Sequence, residues 1–461
     1  MALAVAVYSL STHAAQDIAP NMTECLPSCA RQYRSLSGIV LSCLTTIFLC
    51  IWVSLHLNVP EPVDTRGLGR LKRFKVWFRS FIRCTVVPIF VTLVFPEWVL
   101  GIAVLQFAKA TQLAKKIGGT RQQGFFIIMG GFHLFRRHPG SSKNPISTII
   151  QGEEEAHPLV NISETEGGKA DNAPNSKAIR LLEEEIGEPV HPLDEFDICR
   201  LIDAGQLHFP PSAELQDRCK SDELAKFLVI VQTLWFIVQC VARKVNKLPL
   251  TELEVITLGY TLLTVSMYIA WWDKPYRVTF PIRVYATLPG RTKEQEEIKW
   301  NMERYSFRDM AFGYATGTQD DAVDLRSVRE IPMFSSGYIK NKGLTEFVGI
   351  LTTVIVGMVF GAVHFLAWSS PFPSHHMQFL WRFATIVMTA VPPAAVILFM
   401  FTAVIEGCFS PDKSILYFLL LLTPLYFVGR GITIVLALVT LASLPLEAYR
   451  DVEWSDLFPH I

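Results

Sequence analysis

The stretch TVVPIFVTLVFPEWVLGIAVLQF, residues 85–107, decides how this chain is threaded. It is long and apolar enough for a bilayer-crossing helix, which needs about 20 such residues, yet Pro96 and Glu97 interrupt it at the centre. Proline inside a helix removes a backbone hydrogen bond and clashes with the preceding turn. The segment is therefore either a kinked span or a re-entrant hairpin, and re-entrant backbone is tolerated only where protein or water surrounds it.

Working outward, six runs carry the spanning signal without such a break: 38–57, 225–241, 253–272, 347–368, 379–405 and 415–442. Half of the 461 residues are apolar and 18% are charged. Mean hydropathy is +0.31, too oily for an ordinary soluble domain. The expected fold is an all-α polytopic bundle of six or seven transmembrane helices with a disordered acidic loop. Its parts are a lumenal segment over 1–37, then the first span, a basic amphipathic helix and the Pro-broken span over 38–107. A polar loop over 108–224, a helical hairpin over 225–272 and a polar loop or cap over 273–344 follow. A three-span bundle over 345–443 and a tail over 444–461 complete the chain.

Charge orients this bundle. Residues 60–84 hold Arg66, Arg70, Lys72, Arg73, Lys75, Arg79 and Arg83 against Glu61 and Asp64, which marks a cytoplasmic loop and a lumenal N-terminus. Leu71, Phe74, Trp77, Phe78, Phe81 and Ile82 fall on one side of a helical projection and Lys72, Lys75, Arg79 and Arg83 on the other, the pattern of an interfacial amphipathic helix. With a spanning Pro96 segment, Lys109, Lys115, Lys116, Arg121, Lys274, Arg277, Arg283, Lys340 and Lys342 all lie outside, against the positive-inside rule; with a re-entrant one, only Arg243, Lys244 and Lys247 do. The re-entrant path is favoured. The N-terminus reads either as a signal peptide, with an apolar run over 2–10 before small residues, or as an apolar tail. Asn21 and Asn161 stand in glycosylation sequons, which makes a glycoprotein the expectation. Residues 139–178 carry too little apolar surface to offset the entropy of ordering. The segments 177–187 and 193–204 read as short helices.

Overall charge excludes less. Lys plus Arg and Asp plus Glu each number 42, so no argument for nucleic acid arises. Nine Cys without a C-x-x-C or a zinc-spaced Cys/His set argue against a disulfide scaffold or structural zinc. The sequence also lacks a P-loop, H-E-x-x-H, G-x-S-x-G and a haem C-x-x-C-H. No cofactor is expected.

Ionisable groups inside apolar runs are costly and face a partner or a cavity. Glu97 lies in the broken segment, His364 late in the 347–368 run, Glu406 at the end of the next and Arg430 near the middle of the last. Arg430 with Glu97 or Glu406 is either a structural ion pair or, with His364, a site for an anionic head group. Burial raises a carboxyl pKa, so Glu97 and Glu406 are the candidate catalytic acids. Glu252 and Glu254 read as helix-start acids and Asp273 as a polar edge. Asp320, Asp321 and Asp324 match the DDxxD string with which class I terpene synthases hold magnesium, but the second metal motif is absent and the string lies in a polar loop.

Taken with these features, LSCLTTIF over 41–48, Phe95-Pro96-Glu97, GFFIIMGGF over 124–132, LPLTELE over 248–254, WWDKP over 271–275 and the closing 444–460 segment resemble a large family of fungal multi-pass membrane proteins without an assigned biochemical function. The resemblance implies a fungal source and an endoplasmic-reticulum, other endomembrane or plasma-membrane address, and carries over no catalytic residue. Two functional expectations stand. One is a non-enzymatic scaffold, sensor or carrier in the lipid bilayer, with a protein partner for the acidic loop. The other is a membrane-embedded enzyme of lipophilic, terpenoid-like secondary metabolism, an acid-initiated cyclase or isomerase.

Overall fold

A computed structural model describes residues 33–61, 69–136, 187–219, 223–306, 320, 323–338, 342–406 and 414–452. Both sequons, the apolar N-terminal run, the acidic linker over 139–178 and most of the helix expected over 177–187 lie outside these residues. The protein is an all-α fold of membrane type. Among the described residues six helices are long and apolar enough to cross a membrane: Leu36–Ser54, Arg70–Val94, Phe227–Val245, Glu252–Ala270, His375–Leu398 and Pro424–Ser443. The expected 347–368 span falls on the helix Lys342–Val363 and the 3-10 turn His364–Ala367 that follows it.

The elements needed for the site are these. Helix α1 is Leu36–Ser54, capped where the Ser35 hydroxyl accepts from Gly38 N at 3.0 Å. Helix α2, Arg70–Phe81, runs through a π-helical turn, Ile82–Val86, into α3, Val87–Val94. Pro88 has no N–H for the carbonyl four residues back, and the wider turn sits just before it. Phe95 then leaves the helix at φ −130°, ψ 50°, and α4, Pro96–Ile117, starts with Pro96 in its first turn. Proline is at home there because its missing N–H is one that no helix would use. The proline that seemed to interrupt one helix therefore begins another.

Beyond α4 come α5, Arg121–Ile128, and strand β1, Phe132–Arg136. Strand β2, Glu188–Pro192, and helices α6, Glu195–Asp203, and α7, Ser212–Asp217, follow. Long helices α8, Glu223–Val245, and α9, Glu252–Ala270, lead to β3, Ile282–Val284, and α10, Lys293–Arg304. Helices α11, Lys342–Val363, α12, His375–Glu406, and α13, Ser414–Thr440, complete the bundle. β1 pairs antiparallel with β2 and parallel with β3 in a small sheet absent from the sequence reading. GFFIIMGGF packs inside the protein: Phe125 to Met129 are all buried, forming α5 and the turn into β1.

Two polar layers define the ends of the bundle. At the clasp end, Arg34 pairs with Glu254 and donates from its backbone N to Tyr449 O at 2.7 Å, joining the entry of α1, the start of α9 and the C-terminal tail. Arg243, at the end of α8, donates to Pro249 O, Ala448 O and Arg450 O. Glu252 accepts from Thr440 at the end of α13 at 3.0 Å. At the cap end, residues 56–61 after α1, Trp271 to Lys274 after α9, and the 320–338 loop meet. Helices α1, α8, α9, α11, α12 and α13 run between the two layers.

The α3–α4 pair does not. Arg83, just before α3, forms an ion pair with Glu330 of the cap. The chain turns at Phe95, and α4 returns to the same cap, where Gln106 donates to Ser335 O and Lys109 to Tyr338 O. Both limbs start and finish at one end. From the turn at Phe95 the cap contacts lie 12 residues back at Arg83 and 11 residues on at Gln106, about 17–18 Å of helix at 1.5 Å per residue, so α3 and the first half of α4 form a helical hairpin rooted in the cap. At the turn the Leu93 carbonyl is taken up by the Tyr260 hydroxyl, while Phe90, Leu93 and Phe95 keep exposed side chains.

Close helix approach supports this arrangement. A Cβ on Gly361 of α11 would lie 2.7 Å from Thr389 N and 2.8 Å from Met388 C of α12. Backbone cannot give way as a flexible side chain does, and small residues at helix crossings serve this purpose. Gly361→Ala is expected to lower unfolding stability by about 1–3 kcal/mol through forced separation of α11 and α12, measured by thermal unfolding in detergent against wild type.

Candidate functional site

The tip of the hairpin brings the sequence candidates together. Glu97, in the first turn of α4, is buried, as is Arg430 of α13. Arg430 Nη1 lies 2.9 Å and 3.0 Å from the two Glu97 carboxylate oxygens. The Tyr426 hydroxyl, one helical turn before Arg430, donates to Glu97 Oε1 at 2.7 Å. Arg430 Nη2 donates to the Tyr260 hydroxyl at 2.8 Å, and that hydroxyl donates onward to Leu93 O, the last turn of α3. The guanidinium also stands 4.7 Å from the Phe360 ring centroid and 5.2 Å from that of Tyr260.

Arg430 thus selects Glu97, and the pair holds both limbs of the hairpin. Leu93 O is free to accept because the helix stops at Phe95. Glu406 is the final residue of α12, and its side chain lies outside the described residues. His364 sits in a 3-10 turn, His364–Ala367, after α11, with Nδ1 2.8 Å from Phe360 O and its ring 5.0 Å from that of Phe360. It shares the Phe360 wall with Arg430 and makes no ion pair with it. His364 Nε2 and Arg430 Nε are buried without a hydrogen-bond partner among the described residues.

Both Glu97 carboxylate oxygens are thus engaged by protein donors, which commits the side chain to Arg430 and Tyr426. Removing one member of a buried pair leaves the other uncompensated, at a cost of about 3–5 kcal/mol. Arg430→Met is therefore expected to destabilise the protein by that order, and Arg430→Met with Glu97→Leu to recover most of the loss, measured by thermal unfolding of the purified variants.

The cap carries a second, denser network. Lys274 is fully buried, and its ammonium donates to His56 O at 2.7 Å, Gln106 Oε1 at 2.9 Å and Asn58 Oδ1 at 3.0 Å. The Asn58 and Gln106 amide NH₂ groups donate to Pro332 O and Ser335 O, which fixes their oxygens as acceptors toward the lysine. Burial without a carboxylate pushes the Lys274 amine well below its usual value, while three acceptors favour the charge. Lys109 pairs with Glu195 at 2.8 Å.

Asp194 and Asp197 begin α6. Asp194 Oδ1 accepts from Asp197 N at 2.8 Å as the helix cap, and its other oxygen accepts from Gln295 Nε2 at 2.6 Å. Burial first, and then the Asp197 charge, push the Asp194 carboxyl up to about 7. Burial acts on Asp197 in the same sense, but Arg326 at 2.6 Å, Gln295 and Arg200 at 2.7 Å overcome it and hold that carboxyl below its ordinary value.

The DDxxD string is absorbed into this framework. Asp320 accepts from Ser336 N at 2.7 Å, from Ser336 Oγ at 2.8 Å and from Ser335. Asp324 binds Arg291 through two bonds of 2.8 and 2.9 Å. The two carboxylates serve separate protein partners, and Asp321 lies outside the described residues. Glu254 closes a capping box with Thr251, and Asp273 pairs with Arg121 at 2.6 Å, so these acids are structural as their positions implied. Tyr260, Tyr426, Gln106, Lys109 and Lys274 were not singled out as partners from sequence; a polar residue at helical spacing within an apolar run is the signal they share.

These features define an all-α helical protein of membrane type with a helical hairpin pinned at its tip. The model of a family of unknown function (DUF8562) matches residues 203–290, which include α8, α9, Lys274 and β3. Comparison with curated proteins gives no match, and neither does comparison with solved structures.

A folded-state carboxyl raised above its unfolded value binds its proton more tightly when folded, so its contribution falls as pH rises between the two values. For Asp194 that window runs from 3.8 to about 7. Asp194→Asn keeps the cap acceptor and abolishes the titration. The variant is expected to gain stability relative to wild type across this window and to hold a constant difference above it, measured by thermal unfolding as a function of pH.

Proposed function

We propose that this chain is a non-enzymatic membrane scaffold, sensor or carrier, in which the hairpin ties the polar cap to the interior of the bundle. The observation that carries this reading is the engagement of Glu97 by Arg430 and Tyr426. A carboxylate whose oxygens are both taken up by protein donors is a tie, and the tie joins α3, α4, α9 and α13. The cap is built for rigidity in the same way, with Lys274, Lys109 and the Asp197–Arg326 pair locking it to the membrane helices.

The bases on the cap side place that face toward the cytosol under the positive-inside rule, with the clasp and the Asn21 sequon on the lumenal side. The resemblance to fungal multi-pass proteins favours an endomembrane or plasma-membrane address. On this reading the protein partner expected for the acidic loop is cytosolic. One observation favours the enzymatic alternative: His364 Nε2, unpartnered and buried near the Phe360 wall, is a group an acid–base mechanism for a lipophilic substrate would use.

Deletion of the gene, followed by restoration with wild type or Glu97→Gln, separates the two. The expected result is an unchanged lipophilic-metabolite profile in all strains, with any Glu97→Gln defect tracking loss of protein. A precursor that accumulates in the deletion strain, and also in a Glu97→Gln strain with normal protein abundance, would replace the scaffold with the enzyme.

A further inference from the structure

Helix α2 is the one long helix with no buried residue among those described. Leu71 is 68% exposed, Phe74 and Trp77 are each 56% exposed, and Phe78 and Phe81 are exposed as well. The rings of Phe74, Trp77, Phe78 and Phe81 stack on one another with centroids 5.6–6.0 Å apart, forming one continuous aromatic stripe. Lys72, Lys75 and Arg79 recur at three- and four-residue spacing on the adjoining stripe, while Arg70 stands at the N-terminal end of the aromatic stripe and Arg73 on its other edge. No acidic residue occurs between Asp64 and Glu97.

The helix is also placed. It continues through the π turn into α3, which enters the bundle, and Arg83 pins the junction to Glu330 of the cap. Its aromatic stripe therefore sits where the hairpin leaves the polar layer, at the level of a membrane interface. Tryptophan and phenylalanine insert there with their flanking bases toward the head groups.

We propose that α2 docks on an anionic phospholipid leaflet, its aromatic stripe among the upper acyl chains and its bases on the head-group phosphates. A purely basic helix with a stacked apolar face is complementary to that surface, where each base is attracted by the negative surface potential. A second copy of the chain would present the same bases and repel it. Because α2, the π turn and α3 form one unbroken helical run, the leaflet contact sets the depth of the hairpin tip. This inference is independent of whether the protein is a scaffold or an enzyme.

Hydrogen exchange of the full-length protein in nanodiscs tests it, using discs of phosphatidylcholine alone and discs also containing phosphatidylserine. Amides of 70–81 are expected to exchange on the order of ten-fold more slowly in the anionic discs. High salt, or a variant with Arg70, Lys72, Arg73, Lys75 and Arg79 replaced by Gln, should erase that difference while α9 exchange stays unchanged. Equal exchange in both discs would overturn the proposal, as would slowing that survives in the Gln variant. Slowing that requires two protein copies per disc would also overturn it and assign the face to a second copy.

Discussion

One buried ion pair fixes the path of the chain through this bundle. Glu97 stands at the start of α4 because Pro96 can only begin a helix there, and Arg430 meets it from α13 with Tyr260 and Tyr426 filling the remaining hydrogen-bond directions. A guanidinium away from water is tolerated when its charge and most of its donors are matched. The same cluster collects the carbonyl freed at Leu93 by the break in the helix. Without it the turn at Phe95 would leave backbone and charge unsatisfied in an apolar setting. Sequence break, hairpin and ion pair are one solution to one constraint.

The cap repeats the principle under milder conditions. Lys274 reaches three neutral acceptors that belong to the α1 exit, α4 and, through the amide groups of Asn58 and Gln106, the 332–335 loop. It thus holds the outer ends of the hairpin and of the bundle in one layer. Between Lys274 at the base and Arg430 at the tip, α4 is fixed at both ends. That geometry suits a part that transmits position between membrane interior and polar surface better than one that opens to admit a substrate.

Much of this was legible from residue order. Apolar runs of spanning length gave the all-α membrane class, and Pro96-Glu97 marked the one place where a continuous helix fails. The asymmetry of Lys and Arg favoured a re-entrant path, and the contacts of Arg83 and Lys109 bring both limbs of the hairpin to the cap. Arg430 was recognisable as a partner for an acid, though spacing alone could not choose Glu97 over Glu406. What stayed hidden depends on tertiary contact. The sheet of β1, β2 and β3 joins short strands far apart in sequence, and no local periodicity announces it. GFFIIMGGF looked too short for a span because it is a buried helix and turn. The DDxxD string resembled a metal motif because sequence cannot show that Asp320 is committed to Ser335 and Ser336, and Asp324 to Arg291.

The central claim is that residues 82–117 enter and leave the membrane on one side, pinned at the tip by Glu97 and Arg430. Its most direct test is side-specific labelling of sealed vesicles by a membrane-impermeant thiol reagent, read by peptide mass spectrometry, on Gly69→Cys, Lys116→Cys, Gly290→Cys and His376→Cys variants. The account predicts that positions 69, 116 and 290 label from the same side and position 376 from the other. Labelling of positions 69 and 116 from opposite sides would make the Pro96 segment a crossing and contradict it.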